Sequence, residues 1–360
     1  MKEEPLMKRL TILALTLLIA AGPLPALGVE RTFWAKQGDV AYFAQNGKIG
    51  LMGKSNIVMV GPTISEALPF DGDIAVVRER DRWGLIGKHG WIRQPFSATQ
   101  IQFLGDGAYG LFCDENHAYG FVNRKGETVV EPRRYQDVGY MSEGVFAADS
   151  GQGYGYVGLD GQVKIDFQYT RALAFSEGLA AVEKDGKWGY INLRGEMVLP
   201  FQYQEAGSFV KGWAPALPEG ESATVYIDQT GAVCLAGKWD RAYDFTGDDL
   251  ALILAGGKYG YVNRKGKIVV TPRYEKANGF SDGFASVMAG EGDWRYLDKA
   301  GKVVSKSYAE AGSYRNGFAY VCYDPDPGKK DMVRGYINTG RKFVCVELEA
   351  NPYLVPTDTP

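Results

Sequence analysis

One unit is copied along most of this chain, and the copying limits the fold more than any single motif does. Its clearest copy is Phe175-Ser-Glu-Gly-Leu-Ala-Ala-Val-Glu-Lys-Asp-Gly-Lys-Trp188-Gly-Tyr-Ile-Asn-Leu-Arg-Gly195-Glu-Met-Val-Leu-Pro200-Phe-Gln-Tyr203-Gln-Glu-Ala206. Its core, a large residue followed by glycine, recurs at Ile49-Gly50, Trp83-Gly84, Tyr119-Gly120, Tyr154-Gly155, Trp188-Gly189, Val225-Tyr226, Tyr259-Gly260, Trp294-Arg295 and Arg334-Gly335. The steps between second positions are 34, 36, 35, 34, 37, 34, 35 and 40 residues, so nine units fill roughly Phe33 to Ala350. The last step is long because Asp324-Pro-Asp-Pro-Gly-Lys-Lys-Asp331 is inserted. A unit this short cannot bury its own apolar faces, so the copies must pack on one another.

Each unit reads as three short strands. An opening strand follows a glycine, as in Leu179-Ala-Ala-Val182 and Phe284-Ala-Ser-Val287. Its small residues mark places where a neighbour comes close. A ring strand of the Trp188-Gly-Tyr-Ile-Asn192 type comes next. Burying such an indole is worth up to about 5 kcal/mol. Asn192-Leu-Arg-Gly195 and Asp298-Lys-Ala-Gly301 then make Asx-capped turns closed by a glycine. A closing strand follows, and Pro132, Pro200 and Pro272 interrupt its pairing at one point. Tyr203, Trp239 or Tyr274 and then an aromatic such as Phe175, Phe209, Phe245 or Phe280 lead the chain into the next unit.

With 47 Gly and 13% aromatic residues, composition agrees with an all-β repeat protein. The expected architecture is a β-propeller-like ring of small three- to four-stranded blades. An open β-solenoid or superhelix of the same units is the alternative.

Gly-Leu-Ala-Ala-Val, Lys187-Trp188-Gly189-Tyr190-Ile191-Asn192, Gly195 and Pro200…Tyr203 resemble the bacterial WG (or KWG) repeat. The resemblance covers nearly all of the chain beyond its leader. It implies a β-repeat scaffold, found largely in bacterial and often exported proteins, with no established enzymatic activity. Ile49, Val225 and Arg334 depart from the ring position, and Tyr226 and Arg295 from the glycine.

Residues 1–28 read as a secretory signal, with Lys8-Arg9 before the apolar run Leu10 to Ala21 and cleavage after Gly28. Lys2-Glu3-Glu4 can be encoded by a ribosome-binding sequence, which makes Met7 the expected start. Residues 29–350 are read as one repeat domain and 351–360 as a flexible tail. After cleavage no membrane span is expected. The net charge of −3 gives no reason to expect nucleic acid. Cys113, Cys234, Cys322 and Cys345 fall in positions that predict mostly free, buried thiols. Even Cys322 and Cys345, in one unit, have a strand between them and lie about 10 Å apart.

No catalytic constellation, cofactor motif or metal-ligand spacing emerges. His89 and His117 sit in turns without partners at ligand spacing. The Asp-rich loops at Asp71-Gly-Asp73, Asp244 with Asp248-Asp249, and Asp324 with Asp326 and Asp331 lack the spacing of a Ca²⁺ loop and read as solvated turns. Basic turns at Arg124-Lys125, Arg194, Arg264-Lys265 and Lys299 alternate with acidic turns at Glu143, Glu177 and Asp282. That pattern suggests weak surface pairing or a mixed-charge rim that recognises a protein. Trp91 and Tyr320 are rings the template does not require, and with Asp324, Asp326 and Asp331 they are the candidate partner-binding residues. The sequence therefore predicts an exported, non-enzymatic binding or scaffold protein. Its expected partners are proteins of the cell envelope or surface, with a cell-wall glycan bound by exposed rings as the alternative.

Overall fold

The computed structural model describes residues 32–346 apart from 38–39, 46–47, 54–56, 69, 97, 99, 104–107, 316 and 324–332. The leader, the tail and the Asp324 to Asp331 insertion lie outside the described residues. Every regular element among those described is a strand, and the strands form eight antiparallel sheets. One sheet has seven strands and holds two units, so the sheets make nine blades. The first strand, Thr32–Gln37, lies beside the last, Phe343–Val346, which brings the ninth blade to the first. The units form a propeller-like ring rather than an open stack.

A typical blade has four strands in sheet order. The fifth consists of a short inner strand Arg171–Ala172, the opening strand Leu179–Lys184, the ring strand Lys187–Asn192 and an outer strand that begins Met197–Ala206. The segment that carries the chain between units thus pairs as the inner strand of the next blade. In Met197–Ala206 the outer strand of one blade runs directly into the inner strand of the following one. Opening and ring strands are buried on both faces. Outer strands alternate, with Ile165, Leu199 and Val270 inward and their neighbours in solvent.

The geometry accounts for the glycine after the ring. Trp188 pairs with Tyr203 and Tyr190 with Leu199, so the outer strand bulges opposite Gly189, with Pro200 in the bulge. A Cβ on Gly189 would lie 2.9 Å from the Leu199 carbonyl oxygen, and one on Gly155 only 2.6 Å from that of Ile165. The bulge sits on bare backbone. In the eighth blade Arg295 stands at this place, and the outer strand is reduced to the isolated bridges Trp294↔Tyr308 and Leu297↔Val303. At the same place in the sixth blade Val225 pairs directly with Ala236, and the outer strand runs there without the bulge.

Blades are tied by the tyrosine that follows the glycine. Tyr156, Tyr190, Tyr226, Tyr261 and Tyr296 donate their phenol O–H to carbonyls in or just after the inner strand of the next blade, those of Leu173, Gly207, Tyr243, Asn278 and Gly312, at 2.7, 3.0, 2.7, 2.6 and 2.8 Å. Each ring also packs on the aromatic of that blade, Phe175, Phe209, Phe245, Phe280 or Tyr314, with centroids 4.6–4.9 Å apart. Burial pushes the ionisation of these phenols far above the usual tyrosine value.

The same tie corrects the register of the sixth unit. Tyr226 behaves as Tyr190 does, so Thr224-Val225, not Val225-Tyr226, stands at the Trp-Gly place. Thr224 is too small for that place. Trp239 fills the space, its indole N–H donating to the Thr224 carbonyl at 2.7 Å. Cys113, Cys234 and Cys322 form no disulfide among the described residues. Cys322 is buried as expected, but Cys113 and Cys234 are only half-buried. The side chain of Cys345 is outside the described residues.

Candidate interaction surface

The turns before the opening strands and after the ring strands share one face of the ring. In the former, Glu177 and Gly178 have φ of 57° and 82°, the left-handed pair of a tight hairpin. The Glu143 carboxylate accepts the Gly178 N–H at 3.1 Å, Glu177 that of Gly212 at 2.7 Å, Asp248 that of Gly283 at 3.0 Å, and Asp282 that of Gly317 at 2.6 Å. Cations answer from the other turns. Arg124 reaches Asp73 at 3.0 Å and also Asp71, Arg264 reaches Asp249 at 3.2 Å and the Val210 carbonyl, and Lys299 pairs with Asp248. The acidic and basic turns that suggested a recognition rim are therefore largely spent on stitching blade to blade. Asp71, Asp73, Asp248 and Asp249 are held by guanidinium or ammonium groups. At the axis, Arg315 of the ninth blade donates to the Phe103 carbonyl of the third.

On the opposite face the Arg171 guanidinium stacks over Trp188, 4.8 Å from the ring centroid, and bonds Glu183 at 2.5 Å. Glu205 pairs with Arg241 at 3.1 Å across the next seam. Between the fifth and sixth blades a groove of about 340 Å³ is lined by Gln202, Tyr203, Pro218, Glu219, Ile227 and Val233.

Asp244 lies on the inner strand of the seventh blade. Its carboxylate accepts the Ser208 N–H at 3.0 Å and occupies the space a Cβ on Gly207 would need. Burial raises its pKa to about 6, against the lowering effect of the Ser208 bonds. In the unfolded chain an aspartate titrates near pH ~4. The raised value means that stability is greatest with the group protonated and falls as pH rises from about 4 through 6. Asp244→Asn is expected to raise the melting temperature at pH 8 and to leave it unchanged at pH 4. The gain is at most about 3 kcal/mol, the free energy that corresponds to a rise from about 4 to about 6. A variant equally affected at both pH values would show that the carboxylate charge is not the cause.

The outer wall carries the remaining regular feature. Val163, Met197, Val233, Ile268 and Val303 occupy the same outer-strand position in five consecutive blades, and they are 45, 61, 59, 41 and 37% exposed. Strands radiating from one ring place them along one circumference.

A family model described as WG containing repeat matches residues 119–149, 154–188, 188–217, 226–259, 259–291 and 294–324, more than half of the chain. The chain belongs to the WG-containing repeat family. No curated protein matches it in sequence. Among solved structures, a eukaryotic initiation factor is 13% identical, with a TM-score of 0.56 over 87% of this chain and 97% of that one. BamB from Moraxella catarrhalis is 10% identical, covering 71% and 90% with a TM-score of 0.45. Apo AztD from Citrobacter koseri is 12% identical, covering 89% and 95% with a TM-score of 0.41. The initiation factor supports the fold of the WG ring and says nothing of its partners.

The WG ring does not bring the sequence-predicted site residues together. Trp91 follows a turn glycine in the second blade and packs half-buried with Met59 on the core between the first two blades. Tyr320 is only 8% exposed and meets Tyr336 edge-on at 5.8 Å. It is a core ring, not an open platform, because the opening strand that carries it is covered on both faces. Asp324, Asp326 and Asp331 lie outside the described residues. His89 and His117 are exposed in turns. Among the described residues no three His, Cys, Asp or Glu side chains are grouped to hold a metal. Sequence reasoning missed the outer-wall row of the WG units. The signal was present, as an apolar residue two places after the turn glycine in Met197, Val233, Ile268 and Val303.

Proposed function

We propose that this WG-repeat ring is an exported, non-catalytic scaffold that holds partner proteins on its outer wall. The recurrent row from Val163 to Val303 carries the reading. The core does not use these side chains, since Ile165, Leu199 and Val270 on the same strands already fill the inward positions. Apolar surface repeated at a fixed position and rimmed by polar residues marks contact with another protein. Export rests on the leader expected in residues 1–28. The glycan alternative has less support, because Tyr320 is buried and Trp91 is half-buried. The test is cross-linking in the envelope fraction of the native cell, with wild type compared against Met197→Lys plus Val233→Lys. A protein recovered in fixed proportion with wild type and lost with the variant is expected. Equal recovery with both would exclude the wall of the fifth and sixth blades as the contact.

A further inference from the structure

The outer wall differs in charge around the ring. The residue after the turn glycine is Glu127 in the third blade, Gln162 in the fourth, Glu196 in the fifth and Ala232 in the sixth. In the next three blades the equivalent residue is Lys267, Lys302 and Lys342. Equivalence is fixed by the turns, where Glu196, Lys267, Lys302 and Lys342 each donate their backbone N–H to the side-chain oxygen of Asn192, Asn263, Asp298 or Asn338 at 3.0–3.1 Å. All three lysines are exposed, as are Lys265 and Arg341 beside them. In the fourth and fifth blades charges are neutralised locally, Glu196 by Arg194 at 2.6 Å and Asp160 by Lys164 at 2.6 Å, while Glu127 of the third accepts the Asn123 amide at 2.7 Å. Arg264 and Lys299 of the later blades turn inward onto Asp249 and Asp248. The side chains of Lys265, Lys267, Lys302 and Lys342 have no ion pair among the described residues.

The seventh and eighth blades therefore present a free ammonium next to an exposed apolar residue, Ile268 beside Lys267 and Val303 beside Lys302, and the ninth presents Lys342. The wall of a ring is convex. A lipid plane or a second rigid ring would touch it at about one blade, whereas a flexible chain can follow it across three. We propose that the outer wall of the seventh, eighth and ninth blades binds an extended acidic segment of a partner protein. Its carboxylates meet Lys267, Lys302 and Lys342, and its apolar side chains meet Ile268 and Val303. This proposal rests on the scaffold reading and gives that reading a partner chemistry.

The probe is a labelled synthetic peptide of alternating glutamate and valine, titrated into the full chain. Binding that weakens steeply with salt is expected. Lys267→Glu, Lys302→Glu and Lys342→Glu together should weaken it by about tenfold or more, from three exposed charge contacts. The variant should melt as wild type does, and it should gain affinity for the lysine–valine counterpart. Hydrogen exchange should slow along Ile268–Tyr274 and residues 303–308, and not in the outer strands of the fourth and fifth blades. Unchanged peptide affinity in the triple variant would overturn the proposal, as would protection confined to other blades. Phosphatidylglycerol vesicles that bind wild type more tightly than the peptide, and lose the triple variant, would replace it with a lipid surface. A triple variant that loses the peptide but still recovers the cross-linked native partner would remove this surface and leave the scaffold reading intact.

Discussion

Trp188→Ala is expected to lower stability by about 3–5 kcal/mol, the range for emptying a buried aromatic site. The indole is 5% exposed and packs in the cluster formed by Leu179, Tyr190, Tyr203, Phe209 and Ile227 from the fifth and sixth blades. The loss does not stop at the cavity. Arg171 uses the ring as a stacking surface, and without it the Arg171–Glu183 pair is held only by its own geometry. The measurement is thermal or urea unfolding, with Trp83→Ala as comparison, since Trp83 is half-buried and should cost less. An unchanged midpoint for Trp188→Ala would mean that the ring of the repeat is not a packing element.

Gly189→Ala should cost about 2–3 kcal/mol although it adds only one methyl, because the space is closed by main chain that cannot swing away. The new Cβ would meet the Leu199 carbonyl at 2.9 Å and Phe201 at 3.1 Å. Gly189 has no left-handed backbone, so conformational strain is not the source, unlike at Gly195 with φ of 76°. The reverse substitution gives the internal control. Arg295→Gly removes the side chain from this position in the eighth blade and should let residues 303–308 pair fully. That gain would be visible as slowed amide exchange there and a raised melting temperature. Loss of stability in Arg295→Gly would mean that its bond to Asp293 outweighs the seating of the strand.

The repeat was legible because its signals are local. Turn chemistry at Asn192 and Gly195, proline at Pro200 and the alternation of Met197 to Tyr203 each follow from a few neighbouring residues. Register was legible wherever the ring or the glycine after it was present. In the sixth unit Val225-Tyr226 resembled the core, and the shift to Thr224-Val225 shows only through the Tyr226 bond to the next blade. The phenol ties were hidden for the same reason. A tyrosine in an apolar strand reads as bulk until its acceptor, seventeen residues on at Gly207 for Tyr190, is seen. The charged turns carried the opposite ambiguity. Composition cannot tell a carboxylate facing solvent from Glu177 closing the Gly212 turn. Tyr320 showed that departure from a template is not exposure, since the ring merely packs where a smaller residue stands in Ala181.

The tyrosine ties divide the ring by stiffness. From the fourth blade to the ninth, each seam has a phenol clamped to the main chain of its neighbour, five times in succession. At the second and third blades the same place holds Leu85 and Phe121, which pack but cannot donate. Apolar contact resists separation without fixing orientation, and of these two seams the first is also bridged by Arg124 of the third blade, which reaches Asp71 and Asp73 of the second; the seam between the third and fourth blades is therefore freer to slide and tilt. The molecule is in effect a rigid arc completed by a compliant one. Strain applied anywhere along its circumference, by thermal motion or by a bound chain, will gather at the joint between the third blade and the fourth.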